Sequence, residues 1–563
     1  VVARSADITA PPQSHRRRIW DLWRIGLLAT GALVALPIFA IVIVALHPDE
    51  NVWTHLSETV LPRYIINTIL LLLGVGFGVT LLGLTTAWLV TTCEFPLRSL
   101  LEWCLLLPLA VPAYVIAYVY TDLLEFSGPV QSSLRFIFDW QTRRDYWFPD
   151  IRSLPGAVLM MSLVLYPYVY MLCRAAFLEL SPNLLDTGRI LGMRPVRLFT
   201  SIIMPVIRPA LVLGIALALM EALNDFGTVD FFAVQTLSAG LYDTWLNMRN
   251  LGGAAQIALI MLSFVAVLLV VERVSRRKQR YFQSTDRIRG IERVSLSHRR
   301  RWLATAFCLL PVVLGFAIPA LILGQYAITY FDVSWTSEFR SQTINSLKVS
   351  STAAIVATTL AVVVSYGGRL WADGFSKSIQ LISMLGYAMP GVVLALGLIV
   401  AYGAFDRNLD LFSRNVFGVS TGLLLSGSIF AVVSAYVIRF LAISVTSVES
   451  SMSRITPSME LAARTLGFGT WRTLIKVHLP LLRPGLLTAL LVVFVDCMKE
   501  LPATLLLRPF NFDTLAVGVY HQAGDEMIER ASLGALVIVA AGVIPIIVLT
   551  RAIRTRPVRA TDG

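Results

Sequence analysis

This sequence is short of charge. Only 15% of its 563 residues are Asp, Glu, Lys or Arg, where a soluble domain carries about 25%. Apolar residues make up 56%, and the mean hydropathy is +0.72. A water-soluble body of this size is excluded, and so is a disordered chain; what remains is a polytopic membrane protein. Cysteine is scarce too. Cys93, Cys104, Cys173, Cys308 and Cys497 all lie in or beside apolar runs with no CxxC spacing, which excludes a disulfide scaffold and speaks against zinc or an iron–sulfur cluster. Lysine is equally rare. None of Lys278, Lys348, Lys377, Lys476 and Lys499 follows a glycine, so the chain cannot build a GxxxxGK phosphate loop. There is no HExxH pair and no spaced His/Cys ligand set. The chain is read as no enzyme and as binding no cofactor.

What is present is length of apolar run. A helix needs about 20 apolar residues to cross the hydrocarbon core. Uncharged stretches fall at 25–46, 64–93, 103–121, 153–173, 254–271, 302–324, 349–368, 378–405, 415–438 and 531–550. Two further runs start at Pro209 and Pro484 and are interrupted by Glu221 and Asp496. Twelve spans are expected. The first run is too long for the core of a cleaved leader and reads as a spanning helix. Placing the termini in the cytoplasm puts most Lys and Arg on that side. The stretch RVSRRKQRYF (273–282) then reads as a cytoplasmic linker facing anionic lipid rather than as a nucleic-acid site.

The linker separates two related halves. Residues 186–209 align with 461–484 at an offset of 275, with seven of 24 positions identical. Ile66-Asn67 matches Ile344-Asn345, Pro112 matches Pro390, and Thr236-Leu237 and Tyr242 match Thr514-Leu515 and Tyr520, all at 278. Six spans per half return the chain to the side it entered from. The repeats are therefore parallel, related by an axis along the membrane normal. The expected layout is a tail (1–24), a first repeat (25–274), a basic linker (275–301), a second repeat (302–551) and a tail (552–563).

The most regular part of the repeat is a cytoplasmic loop, about 179–206 in the first half and 448–481 in the second. LDTGRILGMRPVRLFTSIIMPVIRP and ELAARTLGFGTWRTLIKVHLPLLRP each read as a short helix, a glycine turn, a second short helix and proline. Gly192 and Gly467 permit the positive φ that ends a helix; Pro205 and Pro480 suit a first helical turn. The segment from Leu461 to Pro480 resembles the EAA loop of binding-protein-dependent ABC importer permeases. Ala462, Ala463, Gly467 and Leu479-Pro480 match, Glu460 stands one place before the usual Glu, and Asp186-Thr187-Gly188 replaces Glu-Ala-Ala in the first half. The stretches Lys499-Glu500-Leu501-Pro502 and Asn224-Asp225-Phe226-Gly227-Thr228 are similar to permeases of ferric-iron importers. The resemblance implies the type I importer fold, all-α with two parallel six-helix repeats, in a bacterial inner membrane. It also implies two ATP-binding subunits holding ATP and Mg, gripped through Asp186, Gly192, Pro205, Glu460, Ala462, Ala463, Gly467 and Pro480. A periplasmic iron-binding protein would deliver Fe3+.

The intramembrane acids are the chemical anomaly. A carboxylate at mid-bilayer costs roughly 2.5–3.5 kcal/mol on the insertion scale. Glu221 and Asp225 lie four apart; Asp496 and Glu500 are their repeat equivalents. As hard oxygen donors these four suit a highly charged cation on its path. The alternative is a structural network in which Lys499, Arg174, Arg439 or Asn224 satisfies them. Pro108, Pro112 and Pro390 break helical bonding, with Tyr114, Tyr118, Tyr387 and Met389 as candidate cavity liners. A polyamine, thiamine or phosphonate cargo, or a proton-coupled secondary carrier, remains open at this level.

Overall fold

A computed structural model describes residues 13–48, 52–180, 190–276, 293–371 and 374–554. The described chain is nearly all helix; its one strand pairing is a two-residue parallel bridge of Cys93–Glu94 with Val294–Ser295. Hydrocarbon offers backbone groups no partners, so helices that satisfy their own are what such apolar runs must form. Eleven helices are long and apolar enough to span, and the bent pair Arg98–Ala110 plus Ala113–Phe138 makes a twelfth.

The third span differs from the straight run expected at 103–121: its two arms meet at 92°. Proline is the cause. Val111 precedes Pro112 and is forced into extended backbone (φ −92, ψ 119), as the ring disfavours the helical region for its predecessor. Pro112, at φ −59 and ψ 142, then opens Ala113–Leu124. The second repeat copies the break. A 3-10 turn, Leu385–Ala388, precedes Pro390, which opens Gly391–Phe417 at φ −58 and ψ 140. The expected spans 378–405 and 415–438 shift accordingly, to Gly391–Phe417 and Ile429–Met452. The uncharged run 415–438 misleads because Gly418, Gly422 and Gly427 all take positive φ, so its first half is loop.

Three spans carry wide, five-residue turns directly before a proline. Phe199–Ile203, Val313–Ala317 and Leu474–His478 are π-helical, and Pro205, Pro319 and Pro480 follow. In each, the residue before proline bonds the carbonyl five back: Met204 to Phe199, Ile318 to Val313, Leu479 to Leu474. A proline ring collides with the carbonyl four residues earlier, and widening the turn relieves this without ending the helix. The second short helix expected in each repeated loop is thereby continuous with spans five and eleven.

The described chain forms two compact units. One gathers residues up to Phe39, Val349–Ala388 and Val433–Cys497; the other Ala40–Lys348, Met389–Val432 and the stretch from Met498. In the first unit, span one lies on the second repeat. Trp23 packs at 5.1 Å on both Tyr366 and Trp471, and Gly26 and Gly31 abut Val363 and Ile379. In the second unit, span seven lies on the first repeat. Gly315 leaves no room for a side chain against Leu163 O (2.8 Å) and Pro108. Tyr120 donates to Leu314 O (2.7 Å) and Tyr326 to Asp122 (2.7 Å). Each repeat thus lends its first helix to the other. Within the first repeat, a Cβ on Gly78 would stand 2.2 Å from Ser162 Oγ, and one on Gly83 2.7 Å from Val169. Small residues at such a seam let membrane helices approach closely.

Candidate functional site

Spans five and eleven end in acid-capped turns. After Met204–Asn224, Asp225 accepts from Thr228 N (2.7 Å) and Thr228 Oγ1 (3.0 Å), closing the start of Gly227–Phe231. After Leu479–Met498, buried Glu500 accepts from Ala503 N (3.2 Å), Thr504 N (3.2 Å) and Thr504 Oγ1 (3.0 Å), at the start of Pro502–Leu507. A helix start leaves amides unpartnered, and a carboxylate there answers both hydrogen bonding and the dipole. Two of the four acids therefore have a structural task. The turns also meet. A Cβ on Gly227 would lie 2.7 Å from Leu501 and 2.9 Å from Tyr114. Glu221 and Asp496 sit half-buried one turn earlier in their helices. Arg174 is engaged elsewhere, pairing with Glu102, which Arg98 also approaches at 3.6 Å. Among the described residues no three His, Cys, Asp or Glu side chains gather as a metal cage.

Beyond the turns the two repeats use the same hydrogen bonds. Asn67 donates to Gln235 O (2.9 Å) and Asn345 to Asp513 O (3.1 Å). Leu237 N donates to Thr68 Oγ1 (3.0 Å) and Leu515 N to Ser346 Oγ (2.7 Å). Ala233 and Asn511, again 278 apart, both take positive φ (53° and 58°). Near the capped turns, too, bonds cross between repeats: Gly391 N donates to Asn224 Oδ1 (2.5 Å), and Tyr520 OH donates to Asp230 Oδ2 (2.6 Å). Sequence reasoning matched Tyr520 to Tyr242 but passed over Asp230. The exchange of Asp230 for Arg508 at the same offset was the available signal.

The repeated loops keep their glycine turn. Gly192 and Gly467 have φ of +69° and +76°, and a Cβ at either would meet nothing within 4 Å, so backbone conformation alone demands glycine. Asp186 lies outside the described residues. Leu191 and Leu466, a repeat pair, are 68% and 74% exposed, while Ala463 is buried and Ala462, Pro205 and Pro480 are open to solvent. The Glu460 carboxylate is held within the chain. It takes Arg369 Nε at 2.7 Å and faces buried His478 at 3.4 Å. Arg369 also donates to Met452 O (2.8 Å) and Ile455 O (2.7 Å), and Tyr366 OH to Thr470 O (3.1 Å). This network pins the second loop, Pro457–Thr465 onward, to span eight. It was not foreseen.

Comparison with known proteins decides the family. Residues 79–281 and 372–560 match the binding-protein-dependent transport system inner membrane component. The chain belongs to this family. It is a multi-pass inner-membrane permease of the ABC importer type, and the match in two segments corresponds to its two repeats. The permease is 25% identical over 492 residues to the Fe(3+)-transport system permease protein FbpB 2 of Haemophilus influenzae, covering 86% of this chain and 89% of that one. It is 23% identical over 497 residues to a putative ferric transport system permease protein FbpB 1 of the same organism (84% and 74%). Against the molybdenum transport system permease protein ModB of Escherichia coli it is 27% identical over 206 residues, 35% of this chain and 86% of that one.

Proposed function

We propose that this permease carries ferric iron from a periplasmic binding protein into the cytoplasm, driven by two separate ATP-binding subunits. The observation that carries the reading is the repeated loop. Two copies of one left-handed glycine turn present Leu191 and Leu466 to solvent, with Ile190 and Leu461 exposed in the same loops, and apolar residues exposed together mark a contact for a partner protein. Gly192 and Pro205 in the first loop, and Ala462, Gly467 and Pro480 in the second, form the coupling surface, with Asp186 in the first loop and buried Ala463 supporting the second from beneath. Glu460 acts one step behind that surface by holding the loop on Arg369. ATP and Mg reside on the partners.

The ferric cargo rests on likeness to ferric permeases along both halves and on the acids at the turns. Glu221, Asp225, Asp496 and Glu500 line the path, as hard oxygen donors suited to a trivalent cation. An oxyanion cargo, which the likeness to the molybdenum permease raises, would meet carboxylates of its own sign. Both termini and the linker 275–301 face the cytoplasm, with repeats at 25–274 and 302–551. Two measurements test this. Affinity purification of the full chain from its own host should bring down an ATPase subunit; Leu191→Glu with Leu466→Glu should abolish that without loss of the permease from the membrane. Cells deprived of other iron uptake should import radio-iron through it and not molybdate. A chain that purifies alone, or molybdate uptake without iron uptake, refutes the reading.

A further inference from the structure

Tyr114 and Tyr118 are an oddity that the coupling mechanism leaves unused. They lie one helical turn apart just after the proline break of span three, with ring centroids 5.8 Å apart. Both are buried, at 4% and 3% exposure, and among the described residues neither hydroxyl has a hydrogen-bond partner. Phenylalanine would fill the same space without burying an unanswered polar group. The surroundings are acidic. Glu500 and Asp225 lie within electrostatic reach of the Tyr114 hydroxyl, and Asp225, Asp230 and Tyr520 within reach of Tyr118. The close packing of Gly227 against both Leu501 and Tyr114 fixes the two capped turns beside this ring.

We propose that the Tyr114 and Tyr118 hydroxyls, with the Asp225 and Glu500 carboxylates, form a transit site for unchelated Fe3+, entered past the Asp230–Tyr520 pair. This rests on the ferric reading above. The carboxylates alone form no metal cage; two phenols supply the missing donors. Binding is a ligand exchange with no redox step. Each phenol loses its proton to solvent as an oxygen–iron bond forms and a water leaves the ion, and the metal stays ferric. Two phenolates and two carboxylates carry four negative charges against the ion's three, so the loaded site keeps one negative charge. The site is also made to release. A carboxylate offers about four lone-pair positions, and the caps already occupy two on Asp225 and three on Glu500. Partial ligation suits passage, which needs entry without trapping. Burial runs in the same sense, from exposed Asp230 through half-buried Tyr520 to the buried phenols.

The test is the double substitution Tyr114→Phe, Tyr118→Phe in the full-length chain. Radio-iron uptake should fall about tenfold or more. Purified wild type titrated with ferric nitrilotriacetate should develop a visible phenolate-to-iron charge-transfer band that the double variant lacks. Removing hydroxyls that have no partner should leave the melting temperature unchanged or raise it. Unimpaired uptake, a band that persists in the variant, or a lowered melting temperature each overturns the site. Each single substitution is measured beside the double, so a folding failure in one does not hide the result. Wild type that imports no iron would sink the cargo assignment instead, a different outcome from wild type and variant importing alike.

Discussion

The Arg369–Glu460 contact offers the sharpest test of how the second loop is held. Arg369 makes three bonds, to Glu460 (2.7 Å), Met452 O (2.8 Å) and Ile455 O (2.7 Å). Hydrogen bonds to a charged group are worth about 1.5–3 kcal/mol each. The pair is 23% exposed on each side, so water recovers part of that. Arg369→Met keeps the apolar stem and deletes all three donors. It should destabilise attachment of the loop by about 2–4 kcal/mol, raising its opening roughly 30- to 700-fold. Glu460→Gln keeps an acceptor and both carbonyl bonds and should cost about 1 kcal/mol, roughly fivefold. Amide hydrogen exchange at Ala462–Gly467 reads that opening directly. Transport per ATP hydrolysed should fall in the same order. If both variants exchange alike, the carbonyl bonds contribute nothing. If neither differs from wild type, the ion pair does not hold the loop.

Further outcomes follow from the shared geometry. Asn67→Ala and Asn345→Ala should destabilise the permease by similar amounts, about 1 kcal/mol each, read as matched drops in melting temperature; a strongly unequal pair would contradict equivalent roles. Gly83→Leu should cost more than about 3 kcal/mol and deplete the protein from the membrane, because a Cβ already meets Val169 at 2.7 Å and Tyr166 O at 2.8 Å; normal abundance would refute the close seam. In the loop after span three, Asp145 Oδ2 accepts from Thr142 N (2.7 Å) and Gln141 N (2.8 Å), which holds its carboxyl below the usual range. A lowered folded-state value makes this turn's contribution complete above the unfolded carboxyl value and lost as pH falls through the folded one. Exchange protection at Gln141 and Thr142, taken as wild type over Asp145→Asn at each pH, should fall to unity on acidification; a flat ratio would refute it.

The spans, the repeat and the glycine turns were legible because each is local. Twenty apolar residues leave few alternatives in hydrocarbon, and Gly192 and Gly467 stand where only a left-handed residue closes the helix. The prolines at 112 and 390 were visible as breaks, but not the right angle they make. The run 415–438 was misread because hydropathy does not register three left-handed glycines. Of the four acids, sequence found the positions and their pairing by repeat. It did not find that Asp225 and Glu500 cap the next helix, since that depends on how the backbone turns after Asn224 and Met498. The long contacts lay beyond local pattern: Tyr520 meets Asp230 across 290 residues, and the exchange of Asp230 for Arg508 at the repeat offset marks the position without naming its partner.

The loan of a first helix by each repeat to the other has a genetic consequence. Neither half, expressed alone, can bury the faces it offers: Tyr366 and Ile379 wait for Trp23 and Gly31, and Leu163 and Tyr120 for Gly315 and Leu314. Severing the polypeptide inside 277–292 leaves both loans intact. Two such fragments made together should reassemble and transport, while either made singly should be degraded. Fusion into one chain then serves to keep the two products equal in number, and a single fragment that accumulated stably by itself would show that the borrowed helices are ornamental.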